Sequence, residues 1–327
     1  MKSLRKILSL LLCSAGILAA FTLPISAADF PTRIIRIVVP YPPGGSADLI
    51  GRMVAEKMSK SIGQPVIVEN KGVATGAIGS EFVARADPDG YTLLVAIADT
   101  HAINPAVVPK LSYDPLKDFV PISLMATQPF VLAVGPGMQA KNVAEFVAKA
   151  REKPGAITYA SNGTGGLQHL AMELFSSAAG IKTLHVPYKG AGPALTDVMG
   201  GQIHAIFISL QGGGGNLKTE RLRPLAITSA NRLAVAPEIP TFVESGYPKF
   251  QMSQWYGILA PKGTPPDIVD KLNQHVKAAL SAPDVSDKLK AAGTEPVGST
   301  PEQFLTFLTA EIAQWASVAK ANNIRLE

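Results

Sequence analysis

Hydrophobic and polar positions along this chain switch between two periods. Ile34–Val39, Val66–Glu69 and Thr92–Ile97 are short, nearly continuous apolar runs, the pattern of buried strands. Between them apolar residues recur at helical spacing over Leu49–Ile62, ended by Gly63, and over Ala77–Ala86, closed by Asp87-Pro88-Asp89-Gly90. This β-α-β-α-β order predicts an α/β fold with a mostly parallel sheet and helices on both faces. A second series contains helix Val143–Arg151, strand Ile157–Ala160, helix Leu167–Ala179, strand Leu184–Pro187, helix Ala191–Gly200, and strands Ala205–Ser209 and Leu225–Thr228. Helices Pro266–Ser281, Pro283–Ala292 and Pro301–Asn322 follow. Phe130–Val134 and Gly257–Ala260 stand where the two series join and are read as strands crossing between two lobes. Lobe 1 is then 29–129 with 254–327, lobe 2 is 130–253, and a ligand cleft lies between them.

Two strand-to-helix loops stand out. One is Ser161-Asn162-Gly163-Thr164-Gly165-Gly166, between a strand and an apolar helical stripe. The other is Tyr41-Pro42-Pro43-Gly44-Gly45-Ser46-Ala47-Asp48, built the same way. Backbone N–H groups at a helix start lack intrahelical partners, and the helix dipole adds partial positive charge there. A small anion fits such a place without Lys or Arg. Either loop alone is readily a tight turn with a helix cap (Ser46, Asp48 or Thr164); the pairing favours two lobes closing on one ligand. The candidate contacts are Tyr41, Gly44, Gly45, Ser46, Ala47 and Asp48 from one loop, and Ser161, Asn162, Gly163, Thr164, Gly165 and Gly166 from the other. Asp48 also reads as a complement to the helix dipole. Asp99, Thr100 and His101 follow the third strand and are expected to face the same cleft. Tyr188 follows a strand and is expected at the rim, with Lys189 solvated. His169 reads as packing or capping its helix, and Trp255 and Tyr256 as hinge packing.

Composition narrows the function. Residues 1–28 read as a cleaved signal peptide: basic Lys2, Arg5 and Lys6, an apolar Ile7–Phe21 segment too short to span a membrane, then small Ser26-Ala27-Ala28. The leader holds the only cysteine, Cys13, so the exported chain has no disulfide, thiolate metal site or cysteine nucleophile. It also carries three of the basic residues behind the formal charge of +5, leaving a near-neutral chain that does not point to nucleic acid. Five histidines are scattered without metal-ligand spacing, and there is no Gly-x-Ser-x-Gly elbow. Neither Gly212–Gly215 nor Gly72, Gly76 and Gly79 matches a nucleotide-binding loop. No catalytic residue, metal or cofactor is expected, and the location expected is the periplasm.

Further segments complete a pattern. Ile37-Val38-Val39-Pro40-Tyr41-Pro42-Pro43-Gly44-Gly45-Ser46-Ala47-Asp48 is followed in order by Pro88-Asp89-Gly90-Tyr91-Thr92-Leu93-Leu94, Ala102-Ile103-Asn104-Pro105, Ser161-Asn162-Gly163-Thr164-Gly165 and Val186-Pro187-Tyr188-Lys189-Gly190. Pro240-Thr241-Phe242, Trp255-Tyr256-Gly257 and Pro296-Val297-Gly298-Ser299-Thr300-Pro301 close the series. In this order the chain resembles the extracytoplasmic solute receptors of tripartite tricarboxylate transporters, the Bug or TctC family. The resemblance implies a two-lobe, type II periplasmic-binding-protein fold that takes small carboxylates, di- or tricarboxylates or aromatic acids. It implies that the two glycine loops hold the ligand carboxylate and that the ligand passes to a membrane permease. A monomer is expected. Two departures stand in the distal pocket: His204 and Ser209 replace the usual Asp, and the Gly212–Gly215 run is unusual. They leave the ligand's identity open, with Ser209 a candidate contact. A carboxylate sensor, or an envelope enzyme acting on a small organic acid, are the alternative readings.

Overall fold

The computed structural model describes residues 30–72 and 76–326; the leader, Cys13 and the expected cleavage after Ala28 lie outside them, as do 73–75 of the loop after the second strand. Strands β1 (Ile35–Val39), β2 (Val66–Asn70) and β3 (Thr92–Ile97) pair in parallel, with β1 in the middle. Helix α1 (Ser46–Ile62) buries Ile50, Val54 and Met58, one face at i, i+4 and i+8, and stops at Gly63 with φ +77°. Helix α2 (Ala77–Ala84) makes the second crossover. After β3 the chain makes a π-helical turn, Asp99–Ile103, and a one-turn helix, Asn104–Val107.

Strand β4 (Phe119–Val134) carries the chain onward. Its first part, Phe119 to Pro129, runs antiparallel to β9 (Ser253–Pro261), which also pairs with β3. Its last five residues pair with β7 (Ala205–Ser209) and β8 (Arg223–Ile227). Beyond β7 lie β5 (Thr158–Ser161) and β6 (Leu184–Pro187), both parallel. The order is β2-β1-β3-β9-β4-β7-β5-β6, with β8 and a short β10 (Glu295–Pro296) pairing to β4. Helices α3 (Val143–Glu152), α4 (Leu167–Ala179) and α5 (Ala191–Met199) flank the second group of strands. Helices α6 (Pro266–Ser281), α7 (Pro283–Ala291) and α8 (Pro301–Ala321) follow; α6 packs on α1 and β4, and α8 on β4 and the π turn. The fold is α/β, a mixed sheet flanked by helices, as the sequence pattern requires.

Sequence and structure part company at β4, which begins at Phe119 rather than Phe130. Pro121 and Pro129 make the first part look like loop. The strand accommodates them because the register shifts between Pro121 and Ser123, and Pro129 stands where pairing passes from β9 to β7.

Candidate functional site

Three strand ends and the start of α4 enclose a cleft of about 430 Å³. That volume falls within the range of small-molecule sites, roughly 300–1,000 Å³. Tyr41 follows β1, Ile97 ends β3, and Asn162, Gly163, Thr164, Gly165 and Gly166 follow β5. Leu167, Gln168, Asp99, Asn104, Phe130, Gln254 and Leu326 complete the wall. The cleft therefore lies at the carboxyl ends of the parallel strands, where open α/β sheets bind ligands.

The second glycine loop is held from behind. Ser161 is fully buried; its Oγ donates to the Gly163 carbonyl (2.9 Å), accepts from the Gly163 N–H (3.1 Å), and hydrogen-bonds His185 Nε2 (2.6 Å). His169 Nδ1 accepts from the Gly165 N–H at 3.1 Å, so this residue on α4 fastens the loop that precedes its own helix. The imidazoles of His169 and His185 stack, and Tyr159 stacks on His185. Burial, with His185 adding to it, lowers the pKa of His169 to about 4; burial lowers that of His185 to about 4. Both rings are neutral at pH 7. Gly163 and Gly165 have φ of +139° and +75°, conformations that favour glycine.

Asp99 joins the two groups of strands at this cleft. Its Oδ1 accepts from the Leu167 N–H (3.1 Å), the first residue of α4, and its Oδ2 accepts from Gln254 Nε2 (2.9 Å). Gln254 Oε1 in turn accepts from the Ala98 and Trp255 N–H groups, each at 3.1 Å. The π turn explains how Asp99 arrives there. The Asn104 N–H bonds to the Asp99 carbonyl across five residues, which puts Asp99 and Asn104 on one face, toward the cleft.

The same turn removes two expected contacts. Thr100 and His101 are fully buried rather than cleft-facing. Thr100 Oγ1 accepts from the Ile97 N–H and donates to the Ile97 carbonyl. The His101 ring packs against Tyr113 and Phe119, with Nδ1 on Thr100 Oγ1 and Nε2 without a partner. Burial lowers the pKa of His101 to about 3.

The first glycine loop is only partly at the cleft. Tyr41 lines it, whereas Gly44 and Gly45 are exposed and border open space. Ser46 and buried Ala47 begin α1, and Ser46 lines a smaller hollow with Leu49, Gln211 and Thr294. Asp48 is buried and fully engaged. It accepts from the Gly44 N–H (3.0 Å), from Arg52 Nε (3.0 Å) and, through Oδ1, from Asn70 Nδ2 (2.9 Å). Burial alone would push its carboxyl up, but the bonds from Arg52, Gly44 and Asn70 hold it below the usual carboxylate range. Asp48 thus organises the loop and leaves no acceptor idle for a ligand donor. Tyr188 and Ser209 also lie off the cleft wall. The Tyr188 hydroxyl donates to Asp197 (2.6 Å), and burial followed by that carboxylate pushes it up to about 12. Ser209 Oγ caps the next helical turn by accepting from the Gly212 N–H. His204 Nδ1 serves the Thr158 N–H, within the sheet.

Of the residues expected at the cleft, Asn162–Gly166, Tyr41 and Asp99 line it, whereas Asn104, Gln168 and Gln254 line it without having been singled out as contacts. Among the described residues there is no group of three His, Cys, Asp or Glu that could hold a metal, and no helix is long and apolar enough to cross a membrane.

Comparison with known proteins shows the family and the fold. Residues 50–324 match the sequence model of a family described as the tripartite tricarboxylate transporter family receptor, TctC. The chain is 36% identical to Protein BugT of Bordetella pertussis over 328 residues, covering 100% of this chain and 99% of that one. It resembles the structure described as R. palustris Rpa4515 with adipate, at 35% identity and TM-score 0.79, over 91% of this chain and 99% of that one. It also resembles MatC (Rpa3494) from Rhodopseudomonas palustris with bound malate, at 33% identity and TM-score 0.75, over 88% of this chain and 99% of that one.

Proposed function

The chain belongs to the receptor family of the tripartite tricarboxylate transporters, a family of solute-binding proteins rather than enzymes, and on that premise we propose that it captures a small carboxylate in the periplasm and delivers it to a membrane permease. The observation that carries this reading is the cleft at the start of α4. It is walled by Asn162, Thr164 and Gln168 at the positive end of a helix, and it holds no Lys or Arg among its described lining residues. The relatives described with adipate and with malate support a carboxylate as ligand. Charge-assisted hydrogen bonds to such groups contribute about 1.5–3 kcal/mol each, so three or four suffice for micromolar binding after association costs.

In this reading, 29–129 with 254–327 and 130–253 act as two lobes that draw together on the ligand, and the exposed Gly44 and Gly45 with half-buried Ser46 then join the grip. The leader is removed after Ala28 and the receptor acts as a monomer. A receptor that reports to a sensor instead of a permease would use the same cleft.

A thermal-shift screen against mono-, di- and tricarboxylates, aromatic acids, amino acids and neutral sugars tests the proposal. A carboxylate at 100 times its Kd is expected to add about 2.7 kcal/mol to stability. A melt moved by sugars but by no carboxylate overturns it.

A further inference from the structure

We infer that Asp99 sets the specificity of this cleft, and that the preferred ligand is a zwitterion, a carboxylate that also carries a protonated amine. The inference rests on the carboxylate reading above and narrows it.

Among the described residues that line the cleft, Asp99 is the one with a formal charge, and that charge is negative. Its surroundings are neutral: Tyr41, Asn104, Asn162, Thr164, Gln168 and Gln254. Burial, and after it the Asp99 charge, push the Tyr41 hydroxyl well above its ordinary range, so this phenol neither ionises nor offsets the carboxylate. Asp99 is also fixed in place. One oxygen accepts from the Leu167 N–H, the other from Gln254, and Gln254 is itself tied to two backbone N–H groups. A carboxylate oxygen accepts about two hydrogen bonds, so each keeps capacity for a ligand donor.

That geometry decides between ligand classes. Asp99 occupies the first N–H of α4, so a ligand acid group must use the groups that remain around Asn162, Thr164 and Gln168. A second acid group on the ligand would meet a fixed like charge with no lining cation to offset it, which is how a site rejects a competitor. An ammonium in the same place donates charge-assisted hydrogen bonds to Asp99.

Isothermal titration calorimetry on matched pairs tests this. The pairs are β-alanine against succinate, 4-aminobutanoate against glutarate, 5-aminopentanoate against adipate, and aspartate against malate. The amine-bearing member of at least one pair is expected to bind roughly ten- to hundredfold tighter. Asp99→Asn, which keeps the shape, is expected to remove that ratio. Should Asp99→Asn melt early, the wild-type ratio at low and high salt decides, since a charge-based preference shrinks with ionic strength. Diacids that bind as tightly as their amino counterparts, or an Asp99→Asn change that weakens both members alike, overturn the assignment while leaving the carboxylate reading intact. Conversely, if propylamine binds as well as 4-aminobutanoate, the carboxylate reading falls and the assignment of Asp99 stands.

Discussion

His169 and His185 lie face to face behind the cleft loop, ring centroids 3.8 Å apart and planes 9° from parallel. His169 Nδ1 accepts from the Gly165 N–H and His185 Nε2 bonds Ser161 Oγ, so protonation of His169 removes one of the bonds that hold the loop. Their pKa values of about 4 lie below the ordinary histidine value, as does that of His101 at about 3. The folded state thus binds fewer protons than the unfolded chain between these values and about 6.5. Their neutral-state contribution is whole above about pH 6.5 and is lost as pH falls toward 4. For enclosed His101 alone the loss is about 2–3 kcal/mol by pH 4.5. Urea midpoints measured from pH 7.5 down to 4.5 are expected to hold to about pH 6.5 and then fall; a profile flat to pH 4.5 refutes the buried neutral histidines.

His101→Phe separates the core histidine from the stacked pair. The ring sits between Tyr113 and Phe119 and leaves Nε2 unpartnered, so phenylalanine fits its surroundings. The change gives up one bond to Thr100, whose hydroxyl keeps both Ile97 partners. Stability at pH 7 is expected to change by less than about 1 kcal/mol. The acid slope should become shallower. Chemical denaturation at pH 7 and at pH 5 reads both, and a variant as acid-sensitive as the parent contradicts the assignment.

Gly165→Asp is expected to abolish binding. A side chain at φ +75° costs about 1–2 kcal/mol, and its Cβ would stand 3.2 Å from Leu326 Cδ2. The new carboxylate would also repel a ligand acid. Thr164→Ala, which removes one hydroxyl from the wall, should weaken binding by only about 0.5–1.5 kcal/mol. Lys189→Ala, off the cleft wall, should leave affinity nearly unchanged. Calorimetric titration with the tightest carboxylate from the screen ranks the three, and strong loss in Lys189→Ala with normal binding by Gly165→Asp would reverse the proposed site.

Asp48→Ala tests the scaffold of the first loop. It leaves the Gly44 N–H, Asn70 and Arg52 without their shared acceptor, for a loss of about 2–3 kcal/mol in stability. Because the folded carboxyl titrates below its ordinary value, the wild-type contribution is present above the carboxylate range and disappears as pH falls through it. Denaturation curves of the two proteins should therefore differ at pH 7 and converge in strong acid. Equal stability at pH 7 would show that the network is not needed.

How much of this was legible in the sequence depends on the kind of signal. Helix α4 and strand β3 run over the residues their apolar patterns mark, because burial on one face or throughout leaves a periodic trace. The glycine loop at 161–166 was legible because turns need particular residues. The partners of that loop were not. Asp99 belongs to a loop expected at the cleft, but that it faces the cleft while Thr100 and His101 turn inward follows from a π turn that no local pattern announces. Gln254 is one polar residue at the head of an apolar strand, and its tie to Asp99 spans more than 150 positions of sequence. The stack of His169 on His185 likewise joins a helix to a strand that no spacing rule connects.

Strand β9 sits between β3 and β4, although the chain supplies it only after β8 is complete. During synthesis the first group of strands therefore waits with two open edges, and nothing made before Ser253 can fill the gap. The missing centrepiece also governs the timing of folding. It keeps the emerging chain loose until nearly all of it is made, and it makes the unpaired edges of β3 and β4 the places where a holding chaperone is most needed.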